Sequence, residues 1–463
     1  MTYPRWLVGA VAVLGATVTS HATADSASAG TPVPRVVLPN GLVVLLSEDH
    51  KAPVVGLELR YAVGSRDDPP DRPGLAALTQ RLMVQATKHV GKEQYERWLD
   101  SAGAWESRYT TSLDRTIFSV TVPADRVALP LWLWSDQMGF LVERIDDRLV
   151  AEQVAVVLNE HAQKIDGAPA GRLHDLVDAA MYPPEHPYHR GWLHGSPDLA
   201  NVTAREVRAF VQAHYRPEQA ILALAGDFES VRALSLAHQY FAPVGTAGSP
   251  VHVEGKRPRL DREVRLTVAA RVELPMVMLA WATPPQNAPG DAELDLVGQL
   301  LTGSRAGWLR WKLVDELKIA SQVSARESSR QYGSQFMIEA TATRGHRPEE
   351  LVDAIDQVLQ KLQASAPDEH SMHGTTTGFM VDPSFSLEQS GTRADRFAGC
   401  EEMHVSGGCL EAWSARYTSV QAEDLSAVAV RELPLSRRVM AAVFPSEDAP
   451  IGGELRDVAP RAP

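Results

Sequence analysis

The sequence predicts an α+β protein of two duplicated domains, each a largely antiparallel sheet with helices packed on one face, and three observations carry that prediction. The first is a repeated passage. From Pro53 the chain reads Pro-Val-Val-Gly-Leu-Glu-Leu-Arg-Tyr-Ala with alternating apolar residues, and a loop holding Pro69, Pro70 and Pro73 leads into a helical pattern near Gly74. From Pro275, 222 residues on, Pro-Met-Val-Met-Leu-Ala-Trp-Ala is followed by Pro284, Pro285 and Pro289 and a helical pattern near Asp291. Period-two alternation, a proline break and then a 3.6-residue period describe a strand passing into a helix. The second observation is that the two halves also end alike. Thr203 and Glu206 form a capping box that opens a helix before the strand starting at Ala220, and Gln421-Ala-Glu-Asp-Leu opens a helix before the strand starting at Val439. The third is the stretch between them, residues 242–261, which carries Pro243, Gly245, Gly248, Pro250, Gly255 and Pro258 and reads as a linker. The domains are therefore placed at residues 33–241 and 262–450. Strands cluster at the start, middle and end of each half with helices between, which argues against pure βαβ alternation.

Ahead of the first domain, Arg5, the apolar run Trp6 to Val18 and the small residues Ala22-Thr23-Ala24 read as a secretory signal peptide over residues 1–24. Polar Thr19, Ser20 and His21 end the run short of the roughly 20 apolar residues a membrane span needs. No later segment is long and apolar enough to cross a bilayer, so the expected location is periplasmic or extracellular. Apolar residues make up 44% of the chain and charged residues 22%, a composition that supports large buried cores. A formal charge of −13 excludes a phosphate backbone as the natural partner and would attract cationic peptides.

Two cysteines, Cys400 and Cys409, flank Glu-Glu-Met-His-Val-Ser-Gly-Gly. In an oxidising compartment such a pair closes a disulfide, helped by Gly407 and Gly408. Free thiols, or a metal held by both sulfurs and His404, are the other readings. His186, His189 and His194 surround Pro187-Tyr188, a spacing that fits a rigid surface corner better than a zinc cluster. Trp281, Trp308, Trp311 and Trp413 read as core residues. No Gly-x-Ser-x-Gly elbow, Cys-x-x-Cys pair, phosphate loop or dinucleotide fingerprint occurs.

Asn40-Gly41-Leu42, Val63-Gly64-Ser65-Arg66-Asp67, Gly74-Leu75-Ala76, Asn159-Glu160 and His186-Pro187-Tyr188 occur in order in the first half. Asp198-Leu199 with Thr203, Ala225-Gly226-Asp227, Ala288-Pro289-Gly290-Asp291 and Leu313 to Val323 come after them. Together they resemble the pitrilysin/insulinase zinc peptidases, a group that includes the mitochondrial processing peptidases, over roughly residues 33 to 450. The resemblance implies two pitrilysin-like domains and an inverted His-x-x-Glu-His motif on the first long helix, with a distant Glu as third zinc ligand. Here those five positions read Ala77-Leu78-Thr79-Gln80-Arg81. Both imidazoles are replaced, one by a methyl and one by a guanidinium, and the general base has become an amide that takes up no proton at neutral pH. Glu160 stands where the family keeps its distant ligand. It either meets Arg81 in a salt link or lies apart from it on a solvated face. The Arg and Tyr that hold substrate backbone in some members align with Val314 and Ser321.

The resemblance, with these departures from its motif, implies no bound zinc and no catalytic residue: a pseudoenzyme that pairs with an active paralogue handling peptides. A peptide-binding or structural scaffold without any peptidase is the second reading, and a zinc peptidase with atypical ligands the third.

Overall fold

A computed structural model describes residues 33–190, 197–245, 253–404 and 408–460. The expected signal peptide, His194 and the middle of the linker lie outside the described residues. The first half forms one six-stranded sheet from β1 (Arg35–Val37), β2 (Val43–Glu48), β3 (Val54–Tyr61), β4 (Trp105–Thr111), β5 (Thr116–Pro123) and β6 (Ala220–Gly226), in the order β1-β2-β6-β3-β5-β4. The second half repeats it with β7 (Val264–Ala270), β8 (Met276–Thr283), β9 (Ala320–Ser328), β10 (Ser334–Ala342), β11 (Val439–Pro445) and β12 (Glu454–Pro460), in the order β12-β7-β11-β8-β10-β9. Each sheet holds one parallel pair, β2 with β6 and β7 with β11, and is otherwise antiparallel. The duplication and the α+β class are as the sequence predicts. The second sheet runs past the boundary read at residue 450, because β12 pairs antiparallel with β7 at the edge that β1 occupies in the first sheet.

The strict two-residue alternation of the strands sends side chains to two different cores. Val44 and Leu46 of β2, Leu222 and Leu224 of β6, and Val55, Leu57, Leu59 and Tyr61 of β3 pack under the helices of their own half. Leu45, Ala223 and Ala225 point the other way, onto Ala394, Phe397 and Ala398. These belong to the helix Ser390–Glu402, which comes from the second half and crosses β3 and β6. The second sheet is covered in return by the helix Leu173–Met181 of the first half, whose Leu173, Val177 and Met181 pack on Leu266, Val268, Met278 and Val443. The expectation of helices on one face thus describes each half taken alone. Its second face is covered by a helix borrowed from the other half.

Close approach of the borrowed helix needs Gly56, where a Cβ would lie 2.2 Å from the backbone nitrogen of Gly391. Beside it Arg60 donates from Nε to Glu58 Oε1 at 2.8 Å, from Nη1 to Glu402 at 2.9 Å and from Nη2 to Asp395 at 2.7 Å, tying strand to helix. Burial pushes Glu58 up to about 8 against the pull of Arg60, with the Asp395 charge adding to the rise. Cys400, on the borrowed helix, is joined to Cys409, which starts the next helix.

Candidate functional site

The helix Leu75–Gln85 begins at Gly74, whose φ of +97° suits only a residue without a side chain. Asp68 caps it by accepting from the amides of Gly74 at 2.7 Å and Ala76 at 2.8 Å. Full burial raises that carboxyl to about 8 while the two amides pull it down. Leu75, Leu78 and Leu82 form the buried stripe. Ala77 and Arg81, four residues apart, share the more open face, and Gln80 is buried with its Nε2 lacking a partner.

Alongside runs the helix Asp147–His161, started by Asp146, which accepts from Leu149 N at 2.8 Å. It brings Glu160 to Arg81, with 3.0 Å between Nη1 and Oε1 and side chains 24% and 40% exposed. The salt link left open by the sequence is therefore formed. Tyr109 on β4 lies close enough to feel both charges. Burial first, then its hydrogen bond to Glu96 at 2.5 Å, raises the phenol to about 12. Sequence reasoning passed over Tyr109 and Asp68; the only hint was Asp-Asp-Pro-Pro ahead of the helix.

Zinc in this family's manner needs imidazole or carboxylate donors on one helix face. Ala77 offers none, Arg81 only donates, the Gln80 amide is not basic, and the Glu160 carboxylate is already paired with a guanidinium. These side chains do not fit a zinc ion. Elsewhere, His186 is buried against Tyr182 and Tyr188, and its Nδ1 accepts from Tyr188 N at 3.0 Å, a packed corner where a surface one was expected. Val314 lies in the wound segment Trp311–Glu316, and Ser321 on β9 donates to Thr341 O at 3.2 Å; neither side chain can grip a peptide as Arg and Tyr would. Trp281 is a core residue, Trp308 and Trp413 pack at the core margin, and Trp311 corrects the reading, being more than half exposed.

Two family descriptions match the chain, Insulinase (Peptidase family M16) over residues 43–188 and Peptidase M16 inactive domain over residues 201–375. The zinc protease PqqE of Helicobacter pylori is 26% identical over 368 residues, covering 78% of this chain and 82% of that protein. The crystal structure of a protease from Helicobacter pylori superposes with a TM-score of 0.83 at 24% identity, over 89% of this chain and 99% of the other. The periplasmic protease PqqL from Escherichia coli matches with a TM-score of 0.71 at 15% identity, over 90% of this chain and 48% of its own length. At these identities the two structures speak for the fold.

Proposed function

Since the chain belongs to the pitrilysin/insulinase (M16) peptidase family, we propose that it acts as an exported, non-catalytic member that binds no zinc and completes the working chamber of an active paralogue. The observation that carries this reading is the Arg81–Glu160 ion pair, which puts a fixed cation beside the one carboxylate left at the positions set against the metal motif. A divalent ion brought there meets repulsion from the guanidinium in addition to the missing donors. The chain spans about half the length of PqqL, which is described as a periplasmic protease, and a further pair of such domains would complete a four-domain chamber. Its own contribution would be wall, charge and peptide contacts.

The relatives called zinc proteases favour the other reading, an active enzyme with atypical ligands. Metal analysis of the dialysed chain with a peptide-cleavage assay separates the two. One equivalent of zinc and hydrolysis blocked by a chelator defeats the non-catalytic reading. Co-expression with an intact paralogue, followed by sizing and the same assay, should give a one-to-one complex whose rate differs from that of the paralogue alone. A homodimer that neither binds the paralogue nor changes its rate leaves a scaffold role instead.

A further inference from the structure

The end of the linker and the end of the helix Ala422–Glu432 meet around a pocket of about 390 Å³ on the second half. Arg257, Arg259, Arg431 and Arg437 line it, and the only carboxylate among the lining residues is Glu432. Four guanidinium groups against one carboxylate leave an excess of three positive charges, on a chain whose formal charge is −13.

The arrangement is oriented rather than merely crowded. Glu432 is 6% exposed, and its two oxygens are taken by different arginines, Oε1 by Arg431 Nε at 2.7 Å and Oε2 by Arg257 Nη2. A guanidinium has five N–H donors, so both keep donors free. Arg257 also donates from Nη2 to Ala282 O at 2.6 Å, while its Nε is buried with no acceptor. Arg259 and Arg437 are exposed, and among the described residues neither pairs with a carboxylate.

Both walls are held. The Tyr332 hydroxyl donates to Val253 O, and Gly333, with φ of +120°, admits the linker so closely that a Cβ would lie 2.9 Å from Arg257 Cα. On the other side Trp281 Nε1 donates to Pro434 O at 3.0 Å. The arginines therefore project from backbone already fixed by packing, which lowers the ordering entropy lost on binding an anion.

We propose that this pocket binds a phosphate-bearing ligand, its phosphate group held by Arg257, Arg259, Arg431 and Arg437. The planar fork of arginine matches phosphate oxygens in paired hydrogen bonds, and a group carrying more than one negative charge is what an excess of three calls for. The volume lies near the lower end of the range for small-ligand sites, roughly 300–1,000 Å³, enough for a phosphate with a small body attached. A soluble phosphate ester and an anionic lipid headgroup share this chemistry.

Calorimetry of the purified chain with inorganic pyrophosphate, together with flotation on phosphatidylglycerol-containing and pure phosphatidylcholine vesicles, tests the site and tells its sources apart. We expect saturable one-site binding of pyrophosphate that weakens at least tenfold in Arg259→Gln/Arg437→Gln and is unchanged in Arg205→Gln, an exposed arginine on another helix. Flotation with the anionic vesicles alone, lost in the same double variant, assigns the headgroup; pyrophosphate binding without flotation assigns a soluble ester. Both support the proposal. Since among the described residues neither Arg259 nor Arg437 pairs with a carboxylate, their loss should leave the fold intact, and a circular dichroism melt checks this. Failure to bind either probe, or equal binding by the double variant, overturns it.

Discussion

Arg81 and Glu160 approach to 3.0 Å with side chains 24% and 40% exposed, and this geometry sets a size for their coupling. Fully exposed pairs contribute about 0.2–1 kcal/mol. With one partner sheltered between two helices, the upper end applies, about 1 kcal/mol. In a cycle of Arg81→Ala, Glu160→Ala and the double variant, the double should be about 1 kcal/mol less destabilised than the sum of the singles. With a urea slope of about 3 kcal/mol per molar, that is a displacement of about 0.3 M in the denaturation midpoint. Repeating the cycle in 1 M salt, where the screening length is about 3 Å, should remove most of it. Additivity within about 0.3 kcal/mol at low salt refutes the pair. The same residues carry the functional argument. Ala77→His, Gln80→Glu and Arg81→His together remove the cation and restore donors at i and i+4, so the triple variant should take up one zinc, at least tenfold more weakly once Glu160→Gln is added. No uptake by the triple variant means that this helix and Glu160 are not set to grip a metal, which sinks the correspondence with the family motif.

The joint between the halves yields three further expected outcomes. Glu58 holds a proton up to about 8 in the folded protein, whereas an unfolded glutamate releases it near 4.3. The native state thus binds more protons between these values, and its stability falls as pH rises from about 4.5 to 8. Glu58→Gln should flatten that slope in melts run across the window, and an unchanged slope counts against the raised carboxyl. Gly56→Ala places a methyl against the Gly391 backbone and should destabilise by about 1–3 kcal/mol in urea titration, since neither main chain can yield without moving the borrowed helix. Replacing Cys400 and Cys409 by serine opens a loop with a separation of nine residues and should lower stability by about 2–3 kcal/mol, while peptide mapping without reduction recovers the linked pair from wild type.

The two sheets could be read in the sequence because alternation is a local signal: Val55, Leu57 and Leu59 announce a buried face whatever covers it. The partner of the opposite face is not written locally. Gly56, Ala223 and Ala225 hint that something comes close, but the apolar positions of Ser390–Glu402 say only that this helix packs. They do not say that it packs on a sheet made more than 160 residues earlier. β12 escaped for a different reason. As an edge strand it leaves Leu455 and Val458 exposed among charged neighbours, so its pattern lacks the contrast that marks a half-buried strand. At the candidate site, helical spacing placed Ala77 beside Arg81, whereas the meeting of Arg81 with Glu160 depends on how two helices lie together. Trp311 shows the same limit, since residue type alone carried the expectation of burial.

The exchange of covering helices has a consequence for how the protein is made. A chain emerging from its N-terminus can assemble the first sheet once β6 appears, yet the residues that shield Leu45, Ala223, Ala225 and the Glu58–Arg60 pair are synthesised only after residue 390. Until then the nascent product carries an uncovered apolar surface with a charge pair set in it, open to chaperones or to a second nascent copy. Closure joins positions separated by more than 300 residues, which makes it a late and slow event. Residues 33–241 produced alone should therefore aggregate, and mixing them with residues 253–460 during refolding, but not afterwards, should return soluble material.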